Sequence, residues 1–89
     1  RHLRALMVGH LRDEKDPLTL MAAARLLRDG PPSAVPIRID HIGDALDPAL
    51  GAAARVTMRE CPAYRWLGGL PHEATRRRMQ RAHLLVHAS

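Results

Sequence analysis

Short apolar runs in this chain alternate with longer stretches in which apolar residues recur every three or four positions. Four of the runs have the length and composition of strands: Ala5–Val8, Ile37–Ile42, Tyr64–Leu67 and Leu84–Val86. The second run largely alternates apolar and polar residues, as a strand does when its two faces differ. A glycine follows each of the first three runs, which marks the point where each strand ends. The pattern predicts four β-strands.

The segments between these runs have the period of a helix. Asp16-Pro17 begins a helix that we expect to extend to about Arg28, and Asp47-Pro48 begins one that extends to about Glu60. Aspartate is a favourable N-cap and proline suits the first helical position. A third helix is predicted from about His72 to Arg81. The positions predicted to face inward are Leu20, Met21, Ala24 and Leu27; Leu50, Ala53, Ala54 and Met58; and Thr75, Met79 and Ala82.

The order of these elements is βαβαβαβ, which predicts parallel pairing of the strands. The expected fold class is α/β: a partial Rossmann-like, doubly wound domain with four parallel strands and three helices. Ligands of such folds bind beyond the carboxyl ends of the strands. The loops expected there are Gly9–Lys15, Gly43–Leu46, Gly68–Pro71 and His87–Ser89.

The connections also predict which face of the sheet each helix covers. The first two helices should lie on one face and the third on the other. The second face would then lack the helices that normally follow a fourth strand, so we expect an exposed apolar patch there. Self-association through this face, or low stability, would follow.

Composition restricts the kind of core that the chain can build. Its 89 residues suffice for one domain at most, and aromatic residues make up only 2% of them, so the core must be aliphatic. The single Cys61 excludes an internal disulfide. No apolar stretch is long enough to span a membrane, and Ala5–Val8 is too short for the apolar segment of a signal peptide. We therefore expect a cytoplasmic protein.

The loop after the first strand is the strongest candidate for chemistry. Gly9 allows close approach of a ligand to the backbone, Lys15 brings a mobile positive charge, and a helix N-terminus follows at once. These features are typical of a phosphate-binding βα turn. The alternative is an ordinary turn with a solvated charged loop.

Four segments, in their order along the chain, resemble motifs of one known protein family. They are Val8-Gly9-His10-Leu11 with Lys15-Asp16-Pro17, then Ile39-Asp40-His41-Ile42-Gly43, then Arg65-Trp66-Leu67-Gly68-Gly69-Leu70-Pro71, then Ala82-His83-Leu84-Leu85-Val86-His87-Ala88-Ser89. Together they are similar to the first half of the C-terminal, nucleotide-sugar-binding domain of group 1 glycosyltransferases with the GT-B fold. The amino-acid sequence from Gly9 to Pro17 most resembles that of the selenosugar synthases of selenoneine biosynthesis. The resemblance covers nearly the whole chain but only part of the family's length.

This resemblance implies a fragment of a longer enzyme that transfers a sugar from a UDP-sugar donor. Lys15 and His10 would contact the diphosphate, together with Gly9. The family usually has arginine at the position of His10, and Arg12 is a candidate to substitute for that arginine. The loop of Gly68, Gly69 and Leu70 would lie near the nucleotide.

The resemblance also implies what this fragment lacks. The family's paired glutamates lie beyond Ser89, so no catalytic residue is expected in these 89 residues. The acceptor-binding N-terminal domain of the same chain would be its partner, and the fragment alone would be inactive. No metal or other cofactor is expected. His83 and His87 are too far apart along a strand to form a metal site, and Cys61 and Ser89 have no convincing base.

The charge of the chain supports a different function. The formal charge is +5 and the pI is near 11.0, which favours acidic partners in general. Arg76, Arg77, Arg78 and Arg81 form a basic helix segment. The alternative to the enzyme is therefore a non-enzymatic module that binds nucleic acid or anionic membrane through Arg76–Arg81. Because aromatic stacking platforms are scarce, nucleic acid is the less favoured of these partners.

Overall fold

A computed structural model describes residues 3–11, 17–31 and 36–86 of the chain. The elements are β1 (Leu3–Val8), α1 (Pro17–Asp29), β2 (Ile37–Ile42), α2 (Pro48–Glu60), β3 (Tyr64–Gly68), α3 (His72–Arg81) and β4 (Leu84–Leu85). The predicted elements are confirmed in type and order, with ends that differ by one or two residues. The predicted N-cap at Asp16 lies outside the described residues.

The four strands form one parallel sheet in the order β3-β2-β1-β4. The chain moves outward from β1 through β2 to β3 and then returns to the other side of β1. The predicted α/β fold, a Rossmann-like sheet of four parallel strands with three helices, is confirmed. The order of the strands reverses between β1 and β4, which is the position where ligands bind in sheets of this kind.

Helix α2 begins as its sequence predicts. Asp47 adopts an extended backbone, and its carboxylate accepts a hydrogen bond of 2.9 Å from the N–H of Ala49. Pro48 occupies the first turn, where its missing N–H costs nothing. The helix ends at Glu60, and the N–H of the next residue, Cys61, donates to the carbonyl of Thr57.

One face of the sheet packs against α1 and α2 and forms the core. Alternate residues of the strands point to this face and meet the inward side of the two helices. The buried cluster contains Ala5, Met7, Leu11, Leu20, Met21, Ala24, Ile39, Leu50, Ala54, Cys61 and Tyr64. Tyr64 is the one aromatic residue of this buried cluster. Leu27 was predicted to face inward, but it is 41% exposed, since it lines an open cavity beside Pro36 and Ile37 at the beginning of β2.

The opposite face of the sheet lies against α3, as the connections predict. This helix has no buried residues, and Met79, predicted to face inward, is 41% exposed. The sheet below it carries Arg4, Arg38 and Arg65. Arginines therefore occupy the beginning of the strands on this face, where no apolar patch forms. Exposed apolar side chains are found elsewhere on the face, where Val8 of β1 and Leu85 of β4 are each 47% exposed. Self-association through this face remains a prediction.

Candidate functional site at the carboxyl edge of the sheet

The residues that follow β1, β2 and β3 are joined by main-chain hydrogen bonds. The N–H of Gly9 donates to the carbonyl of Ile42 over 2.8 Å, and the N–H of Gly43 donates to the carbonyl of Gly68 over 2.8 Å. One step further, the N–H of Leu11 donates to the carbonyl of Asp44 over 2.9 Å. The parallel pairing thus continues past the strands, and it holds the three loops side by side.

Gly43 is required where these loops meet. Its φ of 156° is one that side chains rarely adopt, and a Cβ there would overlap the carbonyl oxygen of Gly9 and lie 2.9 Å from the Cα of His10. The positive φ is one reason for glycine at this position, and the close approach of the neighbouring loop is a second. Gly68 also has a positive φ, 72°, but open space surrounds it.

A cleft of about 350 Å³ opens above these loops. Four of the residues predicted to contact the donor line it: Gly9, His10, Gly69 and Leu70. Gly68 lies beside the cleft and supports it through its carbonyl. Arg12 and Lys15, the other predicted diphosphate contacts, lie outside the described residues. Of the predicted site residues that the structure describes, all but Gly68 therefore line one cleft.

His10 has a hydrogen-bonding role that its sequence position does not reveal. Its Nδ1 accepts a hydrogen bond of 3.1 Å from the N–H of Asp44. A nitrogen that accepts carries no proton, so the ring is neutral in this arrangement and its Nε2 carries the N–H. His10 thus offers a ligand one neutral donor, whereas the arginine usual at this position in the resembling family would offer a positive charge.

Asp44 is a cleft residue that the sequence did not single out. Its carboxylate lies against Gly69, so closely that a Cβ at position 69 would overlap Oδ1 and come within 3.0 Å of Oδ2. A carboxylate repels phosphate but accepts hydrogen bonds from hydroxyl groups, such as those of a ribose or a sugar. The only signal in the sequence was its place directly after Gly43.

The N-terminus of α3 also contributes to the cleft, through His72 and Thr75. The residue before the helix, Pro71, provides no side-chain cap. The first N–H groups of any α-helix lack partners within the helix, and its dipole is positive at this end. No arginine or lysine is among the described residues that line the cleft. The described residues therefore offer an anion main-chain N–H groups and the N–H of His10 Nε2, and no arginine or lysine.

Below the cleft, His41 connects the loop after β1 to the core. Its side chain is completely buried. Nε2 lies 3.0 Å from the carbonyl oxygen of Gly9, and Nδ1 lies 3.3 Å from the hydroxyl of Tyr64. A carbonyl only accepts, so Nε2 carries the proton and donates to Gly9, while Nδ1 accepts from the Tyr64 hydroxyl.

Burial sets the charge state of this pair. Desolvation lowers the pKa of His41 below its ordinary value, although the hydrogen bond to Gly9 opposes this, and the imidazole stays neutral. Desolvation also raises the pKa of Tyr64 to about 12. His41 is thus a fixed structural donor, and the sequence showed it only as a polar residue at a position where the alternation of β2 calls for an apolar one.

Trp66 supports the cleft from the side of α2. Its indole Nε1–H donates to the carbonyl of Gly43 over 2.7 Å. The guanidinium of Arg55 lies over the indole ring, 5.4 Å from its centre, within the range of a cation–π interaction. Trp66 and His41 thus hold the loops after β2 and β1 from below.

The basic helix segment does not present all of its arginines to the same side. Arg77, Arg78 and Arg81 line a groove against the sheet, whereas Arg76 does not. Arg78 is also paired with Asp40, over 3.2 Å. Binding of nucleic acid or anionic membrane by this segment remains a prediction.

Two absences can be stated for the part of the chain that the structure describes. Residues 3–11, 17–31 and 36–86 contain no helix with the length and apolar character needed to cross a membrane. The same residues contain no group of three or more histidine, cysteine or acidic side chains that could hold a metal ion.

Comparison with known proteins did not identify a family. No protein-family model matches the chain, and no curated protein matches it either.

Proposed function

We propose that this chain is part of the nucleotide-sugar-binding domain of a cytoplasmic glycosyltransferase of the group 1, GT-B type, with UDP-sugar as the donor. The observation that carries the proposal is the convergence of Gly9, His10, Gly69 and Leu70 on one cleft. These residues come from two separate segments that resemble the family, and the cleft lies at the carboxyl edge of the sheet, where such folds bind nucleotides.

The diphosphate of the donor would lie over the loop after β1. There the N–H of His10 Nε2 and the first turn of α3 offer hydrogen-bond donors. Lys15 would supply the positive charge that the described cleft residues lack. Stabilisation of a leaving diphosphate depends on such donors, because negative charge develops on it as the bond to the sugar breaks.

The nucleoside would lie toward the loop of Gly69 and Leu70. The Asp44 carboxylate beside this loop suits ribose hydroxyl groups better than phosphate, because it can only accept hydrogen bonds. The proposed orientation thus separates the donors for phosphate near His10 from the acceptor near Gly69.

The test is a titration of the 89-residue chain with UDP, followed by amide chemical shifts in NMR. We expect shifts to cluster at Gly9–His10 and Gly69–Leu70 and to disappear in Lys15→Ala. Arg59→Ala is the matched control, since it removes one positive charge from an exposed position of α2 that does not line the cleft. Shifts that are absent, or that scatter over Arg76–Arg81 and vanish with added salt, would overturn the proposal.

A second variant tests the role of residue 10. His10→Arg restores the residue usual in the resembling family and adds a positive charge beside the proposed diphosphate. We expect tighter UDP binding, because charge-assisted hydrogen bonds are about twice as strong as neutral ones. Weaker binding would mean that the hydrogen bond between Asp44 and His10 matters more than charge.

A further inference from the structure

A second concave surface lies along α3, nearer the beginning of the strands, and shares no lining residue with the cleft. It is a groove of about 670 Å³ between α3 and the strands, which we call the arginine groove. Its volume is within the range of small-molecule sites. Six arginines line it: Arg4, Arg38, Arg65, Arg77, Arg78 and Arg81.

One carboxylate, Asp40, lies among these arginines with its side chain only 14% exposed. Arg65 donates to it from Nε and Nη2, over 3.1 and 3.2 Å, and Arg78 donates from Nη1 over 3.2 Å. Asp40 therefore orients two guanidinium groups but neutralises only part of the charge. Each of the two guanidiniums keeps further N–H donors that do not bind Asp40.

The remaining charge is concentrated on neighbouring strands. Arg4 and Arg38 are direct partners in the parallel pairing of β1 and β2. Like charges at paired positions destabilise a sheet. Arg4 donates from Nε to the carbonyl of Arg81, over 2.9 Å, and no acidic side chain of the described residues pairs with Arg38. An anion in the groove would relieve this repulsion.

We propose that the arginine groove binds a small molecule that carries two or more phosphate groups. Guanidinium groups match phosphate oxygens in a bidentate geometry, and here they approach from both the sheet and α3. The groove is separate from the cleft, so this inference does not depend on the proposed function.

The test is calorimetric titration of the 89-residue chain with inorganic tripolyphosphate, with amide shifts to locate the site. We expect shifts at Arg4, Arg38 and Arg65, and much weaker binding of orthophosphate. Arg38→Gln should weaken tripolyphosphate binding about tenfold or more, the effect of one charged hydrogen bond. Without ligand, the same variant should unfold at a higher temperature than the wild type, because the repulsion with Arg4 is removed.

Arg59→Gln is the matched control, since it removes an equal charge from α2 outside the groove. Equal weakening by Arg38→Gln and Arg59→Gln would mean diffuse attraction by the net charge and would overturn the proposal. Shifts confined to Gly9 and Gly69 would also overturn it, because they would place the phosphate in the cleft. Tighter binding of a ten-residue oligothymidylate than of tripolyphosphate would overturn the proposal of a small ligand and would indicate that the groove binds nucleic acid. Lys15→Ala, which tests the cleft, should leave binding in the groove unchanged.

Discussion

Replacement of His41 by leucine tests whether a buried donor holds the loop that forms the cleft. In the wild type, His41 Nε2–H donates to the carbonyl of Gly9 over 3.0 Å, and Nδ1 accepts from the hydroxyl of Tyr64 over 3.3 Å. Leucine fills much of the same space but leaves both of these groups without a partner. The Tyr64 side chain is fully buried, so its hydroxyl has no access to water.

The expected loss follows from these two groups. A buried polar group without its partner costs about 1–3 kcal/mol. The unpaired Tyr64 hydroxyl has a cost in this range, although its hydrogen bond in the wild type is long. The carbonyl of Gly9 is only half-buried, so its cost is at the lower end of the range. We expect His41→Leu to lower the free energy of unfolding by about 2 kcal/mol, with a fall in Tm of about 8–16 °C for a domain of this size.

The pH dependence gives an independent signature. The pKa of His41 is lowered in the folded state, so below its ordinary pKa of 6.5 the unfolded chain takes up a proton that the folded chain does not. Stability contributed by the neutral ring is complete above pH 6.5 and is lost as the pH falls, by at most about 1.4 kcal/mol per pH unit. His41→Leu should lack this part of the slope.

Urea unfolding at pH 7.5 and 5.5, followed by the fluorescence of the single Trp66, measures both effects. His72→Gln removes an exposed histidine and should keep the difference between the two pH values, because His41 is still present. His41→Gln offers an N–H donor again and should regain part of the stability without the pH slope. A His41→Leu protein with wild-type stability, or with the wild-type pH slope, would refute the reasoning.

Two further predictions concern the backbone around the cleft. Gly43→Ala should lower the free energy of unfolding in urea by about 3 kcal/mol or more, because its Cβ would overlap the carbonyl of Gly9. Gly68→Ala should cost only the strain of a positive φ, about 1–2 kcal/mol. Equal losses in the two variants would contradict the close approach of the loops after β1 and β2. Asp47→Ala should cost about 1 kcal/mol through loss of the N-cap of α2, and Asp47→Asn should restore most of it, as measured by thermal unfolding. If alanine and asparagine behave alike at this position, the cap does not stabilise the helix.

The sequence predicts the framework of this fold well because its signals are local. Asp47-Pro48 fixes the beginning of α2, and glycines mark the ends of the strands. The loops that line the cleft follow from the parallel order of the strands, which places all of their carboxyl ends at one edge. For these features no knowledge of distant contacts is needed.

The features that the sequence did not reveal depend on pairing between strands. Arg4, Arg38 and Arg65 are each the second residue of their strand. The register pairs Arg4 with Arg38 and Arg65 with Asp40, which places the three arginines on one face of the sheet. We expected an apolar patch on this face because the helices that normally cover it are missing. The alternation of side chains along the strands instead places arginines there. The role of His41 depends on where the carbonyl of Gly9 lies, 32 residues away in the chain, and no local pattern encodes that distance.

In the cleft, main-chain hydrogen bonds hold the loops together, and side chains provide most of the surface that a ligand would contact. Gly9, Gly43 and Gly68 form the frame through their N–H and carbonyl groups. Leu70 lines the cleft without taking part in those bonds, whereas the side chain of His10 accepts a hydrogen bond from the N–H of Asp44. Substitutions at a lining position such as Leu70 can therefore change what is bound while the frame keeps its shape. In evolutionary terms, the specificity of this edge is free to diverge at little cost to folding, and a search for altered ligand preference should begin there.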